Sequence, residues 1–209
     1  MDHQGRYAYG AQPEIVHWNL FCLGQALLPL IGSVDDTKAA LAGFEGAYDV
    51  AMGNELRGKL GLAGESADDA LLIDSLYNLL QANHPDYTTF FRQLSNISKE
   101  GPGQDAVITD LLLDRDAGSA WLELYRKSLS RDARPDADRK LAMDGVNPKY
   151  VLRNYLAEVA IRAAQQHDFS EIARLATVLA RPFDEQPEAS AYAALPPDWA
   201  EGLEVSCSS

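Results

Sequence analysis

Apolar residues recur along most of this chain at helical spacing. Val16, Leu20, Leu23, Leu27 and Leu30 follow one another at steps of 4, 3, 4 and 3, the stripe of one helix face. Ile15, Trp18 and Cys22 add a second apolar face, so this helix is expected to be buried on most sides. Gly32 offers a stop, and Ser33 a new N-cap with Asp36 three residues on as a capping-box acid. The pattern then predicts a helix from about residue 34 towards residue 60, weakened by Gly43, Gly46 and Gly53. Ser66 and Asp69 repeat the capping signature, and Leu72, Leu76, Leu79 and Leu80 follow at helical spacing. Pro85 opens a short helix carrying Tyr87, Phe90, Phe91 and Leu94.

Residues 98–104 form the clearest loop. Helices are predicted around residues 107–113 and 117–129, and a charged surface connection over residues 131–138. Pro148, after Asn147, falls in the first turn of a predicted long helix, where its missing N–H costs nothing. Val151, Leu152, Tyr155, Leu156, Val159 and Ala160 give that helix its apolar face. Asp168 and Glu171 frame the start of a last helix, which Pro182 ends. From Phe183 the tail is Pro-rich and is predicted extended, with Tyr192, Leu195, Trp199, Leu203 and Val205 available to pin it. There is no internal repeat, low-complexity tract or series of period-2 strands. The fold class is therefore mainly α, with a helical domain over residues 1–182 and a packed tail over residues 183–209.

Composition bounds this picture. A chain of 209 residues, 46% hydrophobic and 23% charged, can bury a core without disulfides or a structural metal. No apolar run approaches the ~20 residues that span a bilayer, the longest stretches, such as residues 27–31, being short and broken by Pro, Gly or charge. Lys and Arg number 18 against 31 Asp and Glu, a net charge of −13. Duplex nucleic acid and anionic membrane surfaces are therefore disfavoured partners. Cys22 and Cys207 cannot make a disulfide framework or a four-ligand zinc site. With no apolar h-region at residues 1–6, a cytoplasmic location is expected. Asn96-Ile97-Ser98 then reads as a coincidental glycosylation sequon.

The residues that offer chemistry by spacing are few. Gly53 to Leu60 nearly matches a phosphate-binding P-loop, but Leu60 stands where Ser or Thr must hold Mg²⁺, and no strand precedes it. Asp114, Asp116 and Gly118 begin like a calcium loop, but the glycine is one position early and the twelfth residue is Tyr125. His3, His17, His84 and His167 are scattered, without metal-ligand spacing. Trp18, Trp121 and Trp199 read as core or tail anchors rather than a stacking platform. Asp35, Asp36, Asp68 and Asp69 sit at helix starts, where the helix dipole favours acids.

Three segments carry more. Residues 2–20 read Asp-His-Gln-Gly-Arg-Tyr-Ala-Tyr-Gly-Ala-Gln-Pro-Glu-Ile-Val-His-Trp-Asn-Leu. Residues 146–161 read Val-Asn-Pro-Lys-Tyr-Val-Leu-Arg-Asn-Tyr-Leu-Ala-Glu-Val-Ala-Ile, and the chain closes on Ser-Cys-Ser-Ser at 206–209. Together they resemble the C-terminal part of the selenoprotein O family, the YdiU-like protein adenylyltransferases. The resemblance covers essentially the whole chain, with Ala11 departing from the polar residue expected before Gln12 and Pro13. It implies a protein-kinase-like fold, of which this chain would supply the helical C-lobe. It also implies transfer of AMP from ATP to Ser, Thr or Tyr hydroxyls of proteins, with Mg or Mn bridging the phosphates of the intact family member. The family's nucleotide-binding, metal-binding and catalytic motifs lie upstream of the Gly-Arg-Tyr segment. No Asn-Thr-Asp-Asn or Asp-Tyr-Gly stretch occurs here. No catalytic, cofactor-binding or metal-binding residue is therefore assigned, and neither ATP nor metal is expected to bind this chain alone.

The resemblance places Gly5, Arg6, Tyr7 and Gln12 near the active cleft of an intact enzyme, or, in the favoured reading, in a bracing role. Cys207 falls where some animal members carry selenocysteine, which implies a redox role. An unpaired thiol on an exposed tail suits that role, while Glu201 and Glu204 would raise its pKa. Cys22 is expected to be an inert core residue. Two readings stay open. The chain is the C-terminal portion of an adenylyltransferase, inactive without an N-terminal half, and then has an exposed apolar surface where that half docks. Alternatively it is a stand-alone helical protein-binding module, redox-responsive through Cys207.

Overall fold

The structure is a computed structural model that describes Gly5 and residues 8–203. These residues are mainly helical, with no strand among them. A 3₁₀ turn at Tyr9–Ala11 leads into α1 (Gln12–Ile31), α2 (Val34–Leu41), α3 (Phe44–Leu60), α4 (Asp69–Asn83) and α5 (Tyr87–Leu94). There follow α6 (Ala106–Thr109), α7 (Arg115–Leu129), α8 (Asp136–Asp144), α9 (Asn154–Gln165) and α10 (Ser170–Leu179), then 3₁₀ turns at Pro187–Ala193 and Asp198–Ala200. The chain divides into two compact units, one up to Glu55 and one from Leu56.

In the first unit, Pro13 sits in the first turn of α1, and Gly32 closes the helix in the left-handed region with φ +77°. The Gly32 N–H reaches the Leu28 carbonyl at 2.8 Å. The Asp36 N–H then donates to the Ser33 hydroxyl at 3.2 Å, forming the cap that the sequence announces. Gly24 lets α2 approach α1, since a Cβ there would lie 2.9 Å from the Thr37 methyl. His17 stacks on Phe44 with ring centroids 5.0 Å apart.

Three expectations change here. The helix predicted over 34–60 breaks at Ala42 and Gly43 into α2 and α3, because Gly43 weakens the helix where the chain turns. Nor is α1 buried on most sides: Gly24 is its buried residue, and its leucines are exposed or half-buried. Taken as a whole helix rather than as an unbroken run, α1 is also long and apolar enough to cross a membrane by length and composition.

The second unit has a true core. Leu60, Leu72, Leu76, Phe90, Leu94, Ile97, Ile108, Leu122, Leu129 and Met143 are buried together around Trp121 and Tyr125. The Trp121 and Tyr125 rings stack 5.2 Å apart, and the Tyr125 hydroxyl donates to the Leu60 carbonyl at 2.7 Å. Burial pushes the Tyr125 phenol well above its ordinary pKa, so it stays a neutral donor. Gly118 is required for close packing, since a Cβ there would fall 2.5 Å from Leu112 Cδ1.

Residues 131–138 are only in part a connection, because α8 begins at Asp136. Its one-sided apolar pattern is thin, and the charged residue Arg139 takes a fully buried place beside Met143. Predicted residues 107–113 shorten to α6, and the predicted long helix at 147 begins only at Asn154. Pro148 disfavours the helical region for Asn147, and residues 147–153 run instead as a strap. The Lys149 and Tyr150 N–H groups both donate to the Pro182 carbonyl, at 2.8 and 3.1 Å. The buried Tyr150 donates its hydroxyl to the Gln186 carbonyl at 2.9 Å.

Smaller clusters join α9 and α10 to the tail, through Tyr155, Leu156, Ala160 and Leu175, and through Tyr150, Val178 and Ala189. The tail is not extended throughout: it coils into its two 3₁₀ turns. Tyr192 and Leu203 pin it. Trp199 stays about half exposed, edge-on to Tyr155 at 6.3 Å, and Leu195 points to solvent. Val205 lies outside the described residues.

Candidate functional site

A set of charged and amide side chains in the second unit gathers around the strap. Asp86 caps the N-terminus of α5, accepting from the Thr89 N–H at 2.8 Å and from its hydroxyl at 2.6 Å. The same carboxylate takes both ends of the Arg153 guanidinium, at 2.5 and 2.9 Å. Arg153 foremost, with Thr89, holds the Asp86 carboxyl down to about 2, against the opposing push of burial. Six residues beyond Asp86, Arg92 points to the other end of the strap. It donates to the Asp144 carbonyl at 2.8 Å, the Asn147 carbonyl at 2.9 Å and the Glu185 carboxylate at 2.7 Å. Lys149 also reaches Glu185 at 2.5 Å, and Lys149 and Arg92 together hold that carboxyl at about 2.

Asn147 ties the strap to the end of α3. Its amide donates to the Lys59 carbonyl at 2.9 Å and its carbonyl accepts from Lys59 Nζ at 3.2 Å. The Lys59 ammonium sits 5.2 Å from the centre of the Phe91 ring. Asp144 accepts from the Ser95 hydroxyl at 2.8 Å and from Lys140 at 2.9 Å. Each carboxylate of this cluster is thus matched by Arg or Lys. A carboxyl held near 2 is ionised at neutral pH and is a poor general acid. The arrangement braces backbone; it does not present a free acid–base pair.

The residues singled out from the sequence lie elsewhere. Gly5 has φ +68° and is exposed, and its carbonyl accepts from the Ala8 N–H at 3.0 Å. The Ala11 N–H in turn donates to the Ala8 carbonyl at 3.0 Å, carrying the turn into α1, whose first residue is the exposed Gln12. Arg6, Tyr7 and Cys207 lie outside the described residues. Cys22 is a half-buried free thiol on α1 and not a core residue, for α1 itself is largely exposed.

Sequence reasoning passed over Asp86, Arg92, Asp144 and Glu185, which meet the strap from distant parts of the chain. The signal present was local: Asn147, Lys149 and Arg153 are the polar residues of a short segment around Pro148, which disfavours the helical region at Asn147.

Among the described residues, neither the P-loop-like run nor a cluster of acids or histidines forms a nucleotide–metal site. Among the described residues no three His, Cys, Asp or Glu side chains converge as metal ligands. The glycine-containing run from Gly53 to Leu60 lies inside α3, where its amides serve the helix rather than cradle a phosphate. No step through ATP or metal is derived from this chain's side chains.

The family model described as "Protein adenylyltransferase SelO" matches residues 1–180. The chain belongs to the SelO protein adenylyltransferase family. It is 54% identical over 222 aligned residues to the protein nucleotidyltransferase YdiU of Burkholderia ambifaria strain AMMD. The alignment covers 100% of this chain and 42% of that protein. The YdiU protein of Burkholderia pseudomallei strain 1710b is likewise 54% identical, with 43% of its length covered. The chain thus spans less than half the length of these curated SelO relatives. Of the segments that first suggested the SelO family, residues 146–161 supply Asn147, Lys149, Tyr150 and Arg153 to the brace.

Proposed function

We propose that this chain forms the helical C-lobe portion of a kinase-like protein adenylyltransferase. Transfer of AMP from ATP to Ser, Thr or Tyr hydroxyls of proteins would be carried out with an N-terminal half that holds nucleotide and Mg or Mn. The observation that carries this reading is the family match over residues 1–180, at 54% identity to proteins of more than twice the length. The site geometry supports the division of labour. Asp86, Asp144 and Glu185 are bound into the Arg92 and Arg153 brace rather than presented as free acid–base groups. The role of this portion is then to present a rigid helical platform for acceptor protein and catalytic half, in the cytoplasm.

The test is incorporation of α-labelled ATP into protein acceptors with Mg²⁺ or Mn²⁺, by this chain alone and with the unmatched part of the Burkholderia ambifaria protein added. A parallel reaction with γ-labelled ATP separates AMP transfer from phosphorylation. Label from the α position only, and only with both parts present, is the expected result. Label from this chain alone would overturn the division of labour. No α label from the combined parts, when the intact relative does label, would overturn the assignment.

A further inference from the structure

The first unit is short of a core. From Gln12 to Glu55 the helices bury Gly24 and no large apolar side chain. Yet α1 carries one of the chain's longest apolar patterns. Val16, Leu23, Leu27 and Leu30 fall on one flank of it, beside the face that Gly24 turns to α2. These four side chains are exposed: Val16 is 46%, Leu23 53% and Leu30 84% accessible. Ordering three helices costs more conformational entropy than so little burial returns. A contiguous apolar flank of this kind marks a contact surface.

We propose that the Val16–Leu23–Leu27–Leu30 flank of α1 is the docking surface for the part of the SelO polypeptide that this chain does not match. This rests on the adenylyltransferase reading above and names the surface that reading requires. Two observations choose this occupant. The relatives align with all of this chain, α1 included, yet 58% of the Burkholderia ambifaria protein (100 − 42) lies outside the match. That protein therefore carries this helix joined to a second body of polypeptide large enough to cover it. A bilayer fits less well, because a helix seated in one would have to take α2 with it, and α2 carries Asp35, Asp36 and Lys38.

The experiment reads association rather than AMP transfer, so that it fails separately from the reading on which it rests. The unmatched part of the Burkholderia ambifaria protein is co-expressed with this full chain and recovered through a tag on the chain. Co-purification is expected, with at least a tenfold loss in Leu23→Glu/Leu30→Glu. Circular dichroism of that variant verifies that the helices persist. Co-purification undiminished in the variant overturns the proposal. As a second measurement, the two parts are joined in one polypeptide and thiol labelling of Leu23→Cys is followed by mass spectrometry. Labelling at least tenfold slower in the fusion than in the chain alone is expected, and equal rates overturn the proposal. Three further outcomes also overturn it: labelling already slow in the chain alone, which places the cover within this chain; slow labelling that accelerates on dilution, which makes the cover a second copy; and sedimentation of the chain alone with phosphatidylcholine vesicles, lost in the double variant.

Discussion

Helices α1 and α7 both carry apolar residues at helical spacing and meet opposite fates. In α7 the spacing Trp121, Leu122, Tyr125 and Leu129 is buried among α3, α4, α5 and α8 residues, with Tyr125 hydrogen-bonded to the Leu60 carbonyl. In α1 the spacing Val16, Leu23, Leu27 and Leu30 faces solvent. Periodicity thus specifies which face of a helix seeks cover, but not whether this chain supplies the cover. The second unit resembles a finished domain and the first a piece of one.

The sharpest way to break this comparison is to truncate each stripe. Leu122→Ala and Tyr125→Ala in α7 should each destabilise the second unit by about 3–5 kcal/mol, since both side chains are fully buried in a close-packed core. Denaturant unfolding of the purified chain measures this. A loss of under about 1 kcal/mol would mean that the core is not packed as described.

The brace around the strap comes next. Arg92→Ala removes three hydrogen bonds and leaves Asp144 and Glu185 short of a partner. Arg153→Ala leaves Asp86 without its guanidinium. Each should cost about 2–4 kcal/mol, with Arg92→Lys recovering only part of it, because one ammonium cannot span three acceptors. Faster amide exchange at Lys149 and Tyr150 in these variants, with core amides of α7 unchanged, would show that the loss is confined to the strap. Uniform exchange across both regions would refute the bracing role.

How much of this was readable in advance depended on distance along the chain. The cap at Ser33, the short helix after Pro85 and the helix over residues 117–129 are local signals, and each appears in the structure, whereas the Ser66 N–H and Asp69 carboxylate pair but α4 begins only at Asp69, without a side-chain cap. Helix α8 was hidden because its buried face is a fully enclosed arginine, Arg139, where an apolar residue is expected. Its guanidinium donates to the Ile97 carbonyl, forty-two residues away. From sequence alone the strap reads as helix, because the apolar spacing of Val151, Leu152 and Tyr155 continues smoothly into α9. What keeps residues 147–153 out of the helix is Pro148 together with acceptors at Pro182 and Gln186. As for the site, the sequence singles out Gly5, Arg6, Tyr7, Gln12 and Cys207, whereas Asn147, Lys149 and Arg153 fall in a segment that carries only the family resemblance; their partners Asp86 and Arg92, on α5 and its cap, and Glu185, in the tail, meet them only on folding.

Acid sharpens the contrast less violently than truncation. Asp86 titrates at about 2 in the folded chain against an ordinary 3.8, and Glu185 at about 2 against 4.5. A carboxyl whose folded pKa is depressed stabilises the fold above its unfolded value and loses that contribution as pH falls through the folded one. The second unit should therefore lose stability as pH drops from about 4.5 towards 2, from these two groups among others. In Asp86→Asn/Glu185→Gln that fall should be shallower, at the cost of a lower starting stability at neutral pH. Thermal melts of both proteins at pH 5, 4 and 3 measure the difference, and parallel curves would show that the two ion pairs do not govern the acid limb.

The smallest expected effect is the one that most directly probes α1. Leu30→Ala removes a side chain that is already largely in water, so unfolding of this chain alone should shift by no more than about 0.5 kcal/mol. Helix propensity opposes even that small change, alanine being the better helix former. The same substitution in a polypeptide that also contains the rest of the SelO length should cost about 2–3 kcal/mol, because the leucine would then be leaving a packed interface. The two numbers need not be compared across different proteins: the fusion and the free chain differ only in the added polypeptide. A loss of about 2 kcal/mol in the free chain would mean that this chain already covers Leu30 itself, and the contrast between α1 and α7 would collapse.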